Sequence, residues 1–180
     1  WSPAQERLKE DLMGFTAAGI STSTVTTTAQ APLGFVLTAP NATADAGMCE
    51  WVYVFNDDAA SFTEGTAIYR DPSATTYDWY GGLLTTAVVS RPYVIGIAQH
   101  TIAAGSYGFV MQKGVGSILA GSAGVAVDGE FTSGGSANGT ALDVVADASA
   151  ITDTYSSSLG HAGTVIGAGA IGTAFINCVG

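Results

Sequence analysis

Apolar and polar positions fall into two regimes along this chain. Over residues 2–15 the apolar side chains recur at helical spacing: Leu8, Leu12 and Phe15 share one face, while Gln5, Glu6, Lys9 and Glu10 face elsewhere. Ser2 can cap this segment, Pro3 suits the first helical position, and Gln5 completes a Ser-x-x-Gln capping box. Gly14 or Gly19 ends it. A helix of about three turns is marginal alone in water, so it has to pack on something. Ile20–Pro32 follows, rich in Thr and Ser and without enough apolar alternation to fix a strand register. It reads either as a solvated linker or as an extended arm that adds to a neighbour.

From Leu33 onward the pattern is β-like. The segments Leu33–Thr38, Glu50–Phe55, Thr66–Arg70, Leu83–Ser90, Tyr93–Ala98, Gly108–Gln112, Ser117–Leu119, Val125–Val127, Ala141–Ala146 and Gly163–Val179 are predicted strands. Glu50–Phe55 is the clearest, aromatic and β-branched, and is stopped by Asn56-Asp57-Asp58. Asp147–Leu159 reads as a helix or a loop, with the turn-prone Ser156-Ser157-Ser158 favouring a loop, and Ser133–Gly139 as a loop tip. Many short strands with Gly, Asn, Asp and Ser between them predict an all-β fold, an antiparallel sandwich or barrel with a short N-terminal helix and extended arm. Strand–helix–strand alternation is missing, which disfavours a parallel α/β sheet. The predicted organisation is a helix and arm over 1–32 and a β domain over 33–180.

Composition narrows the function classes. Charged residues make up 11% of the 180, against ~25% in ordinary soluble domains, so the surface is rich in small residues or is covered by neighbours. A net charge of −10, with the basic residues scattered as Arg7, Lys9, Arg70, Arg91 and Lys113, argues against nucleic acid as a partner. A spanning helix needs roughly 18 apolar residues in a row. The most apolar tract, Thr164–Cys178, is broken by Gly167, Gly169 and Gly172, so no membrane partner is expected. Cys49 and Cys178 read as two buried thiols or as one long-range disulfide; two cysteines are too few for a disulfide framework.

Residues that could carry chemistry are sparse. Gly167-Ala168-Gly169-Ala170-Ile171-Gly172 matches G-x-G-x-x-G, but only eight residues follow and none is acidic, so the dinucleotide reading is rejected. His100 and His161 lack partners at metal-ligand spacing and read as ordinary exposed turn residues. Ser106 is close to His100 without a nucleophile elbow around it. Asp57, Asp58, Glu64, Asp71 and Asp78 fall in turns and lack the spacing of a calcium loop. Tyr69, Tyr77, Trp79 and Tyr80 read as core or interface anchors, or as a sugar-stacking surface. Asn41-Ala-Thr43 and Asn138-Gly-Thr140 are formal glycosylation sequons. The expectation is a protein that is not an enzyme and takes no cofactor and no metal.

Tyr93–Ala98 and Tyr107–Met111 flank a connector in which Ala103-Ala104-Gly105 permits a tight reversal. The pattern I-G-I-A-Q-x-x-I-A-A-G-x-Y-G-F-V-x-x-K-G, over Ile95–Gly114, resembles one in virion structural proteins of tailed bacteriophages, including capsid decoration (cement) proteins. The match is carried by the hairpin Val94–Lys113. The resemblance implies a structural protein on the capsid surface of a virion, with the major capsid protein and further copies of itself, commonly as a homotrimer, for partners. Trp1, Leu8, Leu12 and Phe15 are then the expected anchors of the arm in a neighbour's groove. A tail, fibre or minor shell component is the alternative within that class. A carbohydrate-binding adhesive β-sandwich using Trp79 and its neighbouring tyrosines is the alternative outside it.

Overall fold

The computed structural model describes residues 20–41, 47–71, 80–84, 91–122, 124–133, 141–143 and 158–178. The predicted helix over 2–15 and most of the predicted loop Asp147–Leu159 lie outside these residues, as do Tyr77, Asp78 and Trp79. Ten strands are found among the described residues: β1 (Val36–Pro40), β2 (Met48–Asn56), β3 (Ala67–Arg70), β4 (Gly81–Leu83), β5 (Val94–Ala98), β6 (Tyr107–Leu119), β7 (Glu130–Ser133), β8 (Ala141–Asp143), β9 (Gly160–Ala162) and β10 (Ile171–Asn177). They form one sheet in the order β1-β2-β4-β3-β5-β6-β10-β9-β7-β8, with β2 also paired to β6. The sheet is mixed, which corrects the expectation of a purely antiparallel one: β4 runs parallel to β2, with Phe55 opposite Gly81. The reason lies in the chain path. β3 intervenes between the two, so β4 returns to β2 in the same direction.

Strand β2 is aromatic and β-branched because both its faces are covered. Trp51, Tyr53 and Phe55 point one way, Val52 and Val54 the other, and all five are buried. Strand β6 is the spine. Its first half pairs with β2 from Tyr107 to Lys113, and its second half pairs with β10 from Lys113 to Leu119. The sequence reading breaks this strand between Gln112 and Ser117, where Lys113 and the glycines interrupt the apolar pattern. The structure runs through them, with a register shift beside Glu50 and a positive φ of 130° at Gly114.

Beneath the ten strands is a duplication. Four times the chain leaves a strand, makes a lone β-bridge through an apolar residue, turns on a residue of positive φ three positions later, and enters a strand two positions after that. The bridging residues are Phe62, Ile102, Val125 and Ile166, and the turn residues are Gly65, Gly105, Asp128 and Gly169. Each turn is closed by a backbone hydrogen bond of 3.0–3.2 Å: Thr66 N–H to Thr63 O, Ser106 to Ala103, Gly129 to Ala126 and Ala170 to Gly167. The bridges are made pairwise, Phe62 with Ile102 and Val125 with Ile166. The first unit therefore spans β2 to β6 and the second spans β6 to β10, with β6 shared as the last strand of one and the first of the other.

The register confirms the correspondence. Phe55 opposite Tyr107 in the first unit matches Leu119 opposite Ile171 in the second, at one constant offset. Gly96 and Gly160 correspond, and a Cβ on either would strike a backbone carbonyl oxygen, that of Met111 or that of Phe175. Gly108 and Gly172 correspond too; each lies against the bridging isoleucine of its own unit, Ile102 or Ile166. In sequence the second copy keeps G-x-A-x-x-x-I-x-A-G-x-x-G, read at Gly96–Gly108 and again at Gly160–Gly172. The G-x-G-x-x-G match is thus the turn and first strand residues of a repeated β-connection.

Two buried clusters follow. Val52, Val54, Phe62, Ile68, Ile95, Ala98, Ile102 and Val110 form one inside the first unit. The larger one joins the opposite face of that unit, including Trp51, Tyr53, Phe109 and Met111, to the interior of the second, including Ile118, Phe131, Leu159, Ala174 and Ile176. Ile20, Ala31, Leu33 and Phe35 pack against this larger cluster. Thr26 pairs with Tyr107 through two backbone hydrogen bonds, and the Phe35 ring meets Phe109 edge-on at 6.4 Å. Residues 20–35 are therefore laid over the first unit.

Candidate functional site

Among the described residues no three of His, Cys, Asp and Glu gather where they could hold a metal ion. His100 is not an exposed turn residue as expected. It is half-buried in the connector before β6, its Nε2 has no hydrogen-bond partner, and burial pushes its pKa below the usual imidazole value. Burial thus favours the neutral imidazole, and Ser106, six residues on, is buried in the turn with its backbone hydrogen-bonded to Ala103 and Asn56. His161 is exposed on β9, with its ring 5.7 Å from that of Phe175. Cys49 and Cys178 are both buried thiols; desolvation raises the Cys49 pKa above its ordinary value, which keeps it protonated and inert.

The turn carboxylates do structural work. Asp58 accepts from the backbone N–H of Ala60 through Oδ1 and of Leu84 through Oδ2, both at 2.9 Å, which ties the β2–β3 connection to the end of β4. Glu64 accepts from the Ser117 hydroxyl at 2.8 Å. Asn56, fully buried, donates through Nδ2 to Ala60 O and Ile102 O, both at 2.9 Å. Of the aromatic group expected to anchor an interface or stack on sugars, Tyr69 and Tyr80 are described. The Tyr69 pKa is raised by burial first and then by Asp71 and Asp58. Tyr80 lies under the Arg70 guanidinium at 4.9 Å, and Arg70 Nε donates to Pro92 O at 3.1 Å. With Pro92 and Tyr93 they line an open cleft of about 500 Å³.

The surface that distinguishes this molecule is the outward face of β10. Along the strand Ala174 and Ile176 are buried in the larger cluster, while Ile171, Thr173 and Phe175 point the other way. Ile171 is 51% exposed and Phe175 37%. By register their counterparts in the first unit are Tyr107, Phe109 and Met111, of which Phe109 and Met111 are 0% exposed. His161 beside Phe175 likewise corresponds to Ile97, which is buried. The same face is thus closed in one unit and open in the other. Complete burial of a Phe or Ile is worth about 1.5–3 kcal/mol, and part of that remains unrealised on β10.

The expected arm anchors Trp1, Leu8, Leu12 and Phe15 lie outside the described residues. The β10 face is not among the candidate surfaces of the sequence reading, because a single predicted strand over Gly163–Val179 does not separate its two sides. Its signal is there: from Ile171 to Ile176 the small or buried residues alternate with a separate set of Ile, Thr and Phe.

No protein-family model matches this chain, and no curated protein matches it. Among solved structures it is similar to the head fiber gp8.5 N base in bacteriophage phi29, with 15% identity and a TM-score of 0.47, over 71% of this chain and 95% of that one.

Proposed function

We propose that this chain is a non-enzymatic structural component of a tailed-bacteriophage virion, held in place by apolar contacts rather than by charge. One observation carries the reading: the second unit leaves open an apolar face that the first unit closes with the chain's own upstream segment. A chain with 11% charged residues has little other means of keeping such a face in water, and cover by neighbours supplies it. The hairpin pattern over Val94–Lys113, and its resemblance to virion structural proteins, supplies the context. The finer form of the proposal is a decoration protein that binds the major capsid protein on the outer capsid surface as a homotrimer and braces the shell. Symmetry then multiplies modest contacts into avidity. A tail, fibre or minor shell position uses the same contacts, and labelling the chain in intact particles separates the placements.

The N-terminal segment is the second element of the proposal. Removal of residues 1–19 is expected to leave a folded body that no longer co-sediments with shells. Undiminished binding by that truncated form removes the arm from the mechanism. The cleft between Arg70, Tyr80 and Tyr93 supports one further reading, a saccharide-binding adhesin, because aromatic faces beside a guanidinium suit a sugar ring bearing a carboxylate. Glycan-array binding that disappears in Tyr93→Ala favours that reading over assembly.

A further inference from the structure

We propose that the outward face of β10 (Ile171, Thr173 and Phe175) is the seat of the Trp1–Gly19 segment of a second copy of this chain. The inference rests on the assembly reading above and names the neighbour. The duplication supplies the reasoning. In the first unit the equivalent face is covered by the residues directly upstream of β1, through Ala31, Leu33 and Phe35. The second unit starts within the shared strand β6, so the chain leading into it is the first unit itself. It has no upstream segment of its own to fold over its open face.

The polypeptide does carry one more apolar segment upstream of Ile20, with Leu8, Leu12 and Phe15 at helical spacing. An apolar helical stripe laid on an apolar sheet face is an ordinary way for two such elements to lose water. Direction decides between the chain's own arm and a neighbour's. Ile20 packs against the cluster that Ala174 and Ile176 enter, whereas Ile171 and Phe175 leave the same strand on its opposite side. Ile20, where the described residues begin, thus belongs to the side of the sheet opposite that face. The segment of a second copy is not tied to that side.

Sedimentation equilibrium of the full chain tests this, alongside Phe175→Asp, Thr173→Arg and a chain lacking residues 1–19. The full chain is expected to self-associate, and each variant to weaken that association at least tenfold. Both substituted side chains point outward, so their unfolding midpoints should stay close to the parent's and show that the fold is intact. The decisive arm mixes Phe175→Asp, which keeps its arm, with the truncated chain, which keeps its face. The mixture should form a one-to-one dimer that neither forms alone. A full chain that stays monomeric, a Phe175→Asp chain that associates like the parent, or a mixture that stays monomeric overturns the inference. Shell co-sedimentation of the same variants reads the assembly proposal separately, so the failure of one does not pass for the failure of the other.

Discussion

At the scale of single residues the four turns look interchangeable, yet the space around their positive-φ positions differs. Gly65 has φ +83°, and a Cβ there would collide with the backbone of Leu119 and sit 2.7 Å from the Ile118 carbonyl carbon. Gly105 has φ +70° and nothing within 4 Å of the added atom. An L side chain in the left-handed region costs about 1–2 kcal/mol from sterics alone. Gly105→Ala is therefore expected to lose about that much, and Gly65→Ala clearly more, because the backbone of the shared strand must also shift. Urea unfolding of the two variants checks the order; equal losses would mean that the Gly65 turn is not wedged against β6. The second unit's Asp128 shows why no strict glycine rule is readable in the sequence. With φ 55° it takes the place held by glycine in the other three turns, and Asp is among the few residues that tolerate it.

Among elements, β6 decides how the units meet, and Gln99 is its fastening. Gln99 Oε1 accepts from Ser117 N–H at 2.7 Å and Nε2 donates to Ser117 O at 3.1 Å, so one side chain replaces a ladder step where β5 has already ended. Gly116 leaves room for it, since a Cβ there would lie 2.6 Å from Gln99 Oε1. Gly116→Ala is expected to cost about 1–3 kcal/mol by breaking this pair, and much less when Gln99 is already alanine. A double-mutant cycle with additive losses would show that the two do not share the contact.

The same elements show what was legible in the sequence. The runs read at Glu50–Phe55, Thr66–Arg70 and Tyr93–Ala98 lie close to β2, β3 and β5, because aromatic and β-branched residues there fill both sides of a buried sheet. Val125–Val127, a predicted strand, instead supplies a bridge and a turn, and the strand starts at Glu130. Strand β9, Gly160–Ala162, went unread because Gly, His and Ala carry no apolar alternation; its glycine is there to let the Phe175 carbonyl approach. The repeat was hidden for a related reason. What recurs is mainly the spacing of small residues around one isoleucine, while the faces of the two copies have diverged from Tyr, Phe and Met to Ile, Thr and Phe.

For the whole molecule, a shared strand and a shared cluster imply that the two units stand or fall together. Phe131 in the second unit and Trp51 in the first are both buried in the same contiguous cluster, and β6 cannot lose one partner without exposing the other's core. Phe131→Ala should cost about 3–5 kcal/mol through lost burial and the cavity left behind. If the units are one cooperative body, that loss appears undiminished in the first unit as well. The tryptophan fluorescence transition and the far-UV circular dichroism transition should then move to lower denaturant together and remain superimposable. A fluorescence midpoint that stays in place while part of the circular dichroism signal unfolds early would show two bodies joined by a strand. In that case the open face on β10 could not be coupled to the stability of the closed one. Coincident transitions instead mean that whatever covers Ile171 and Phe175 also stabilises the first unit, because a contact made only in the folded state raises the free energy of unfolding of everything that unfolds with it.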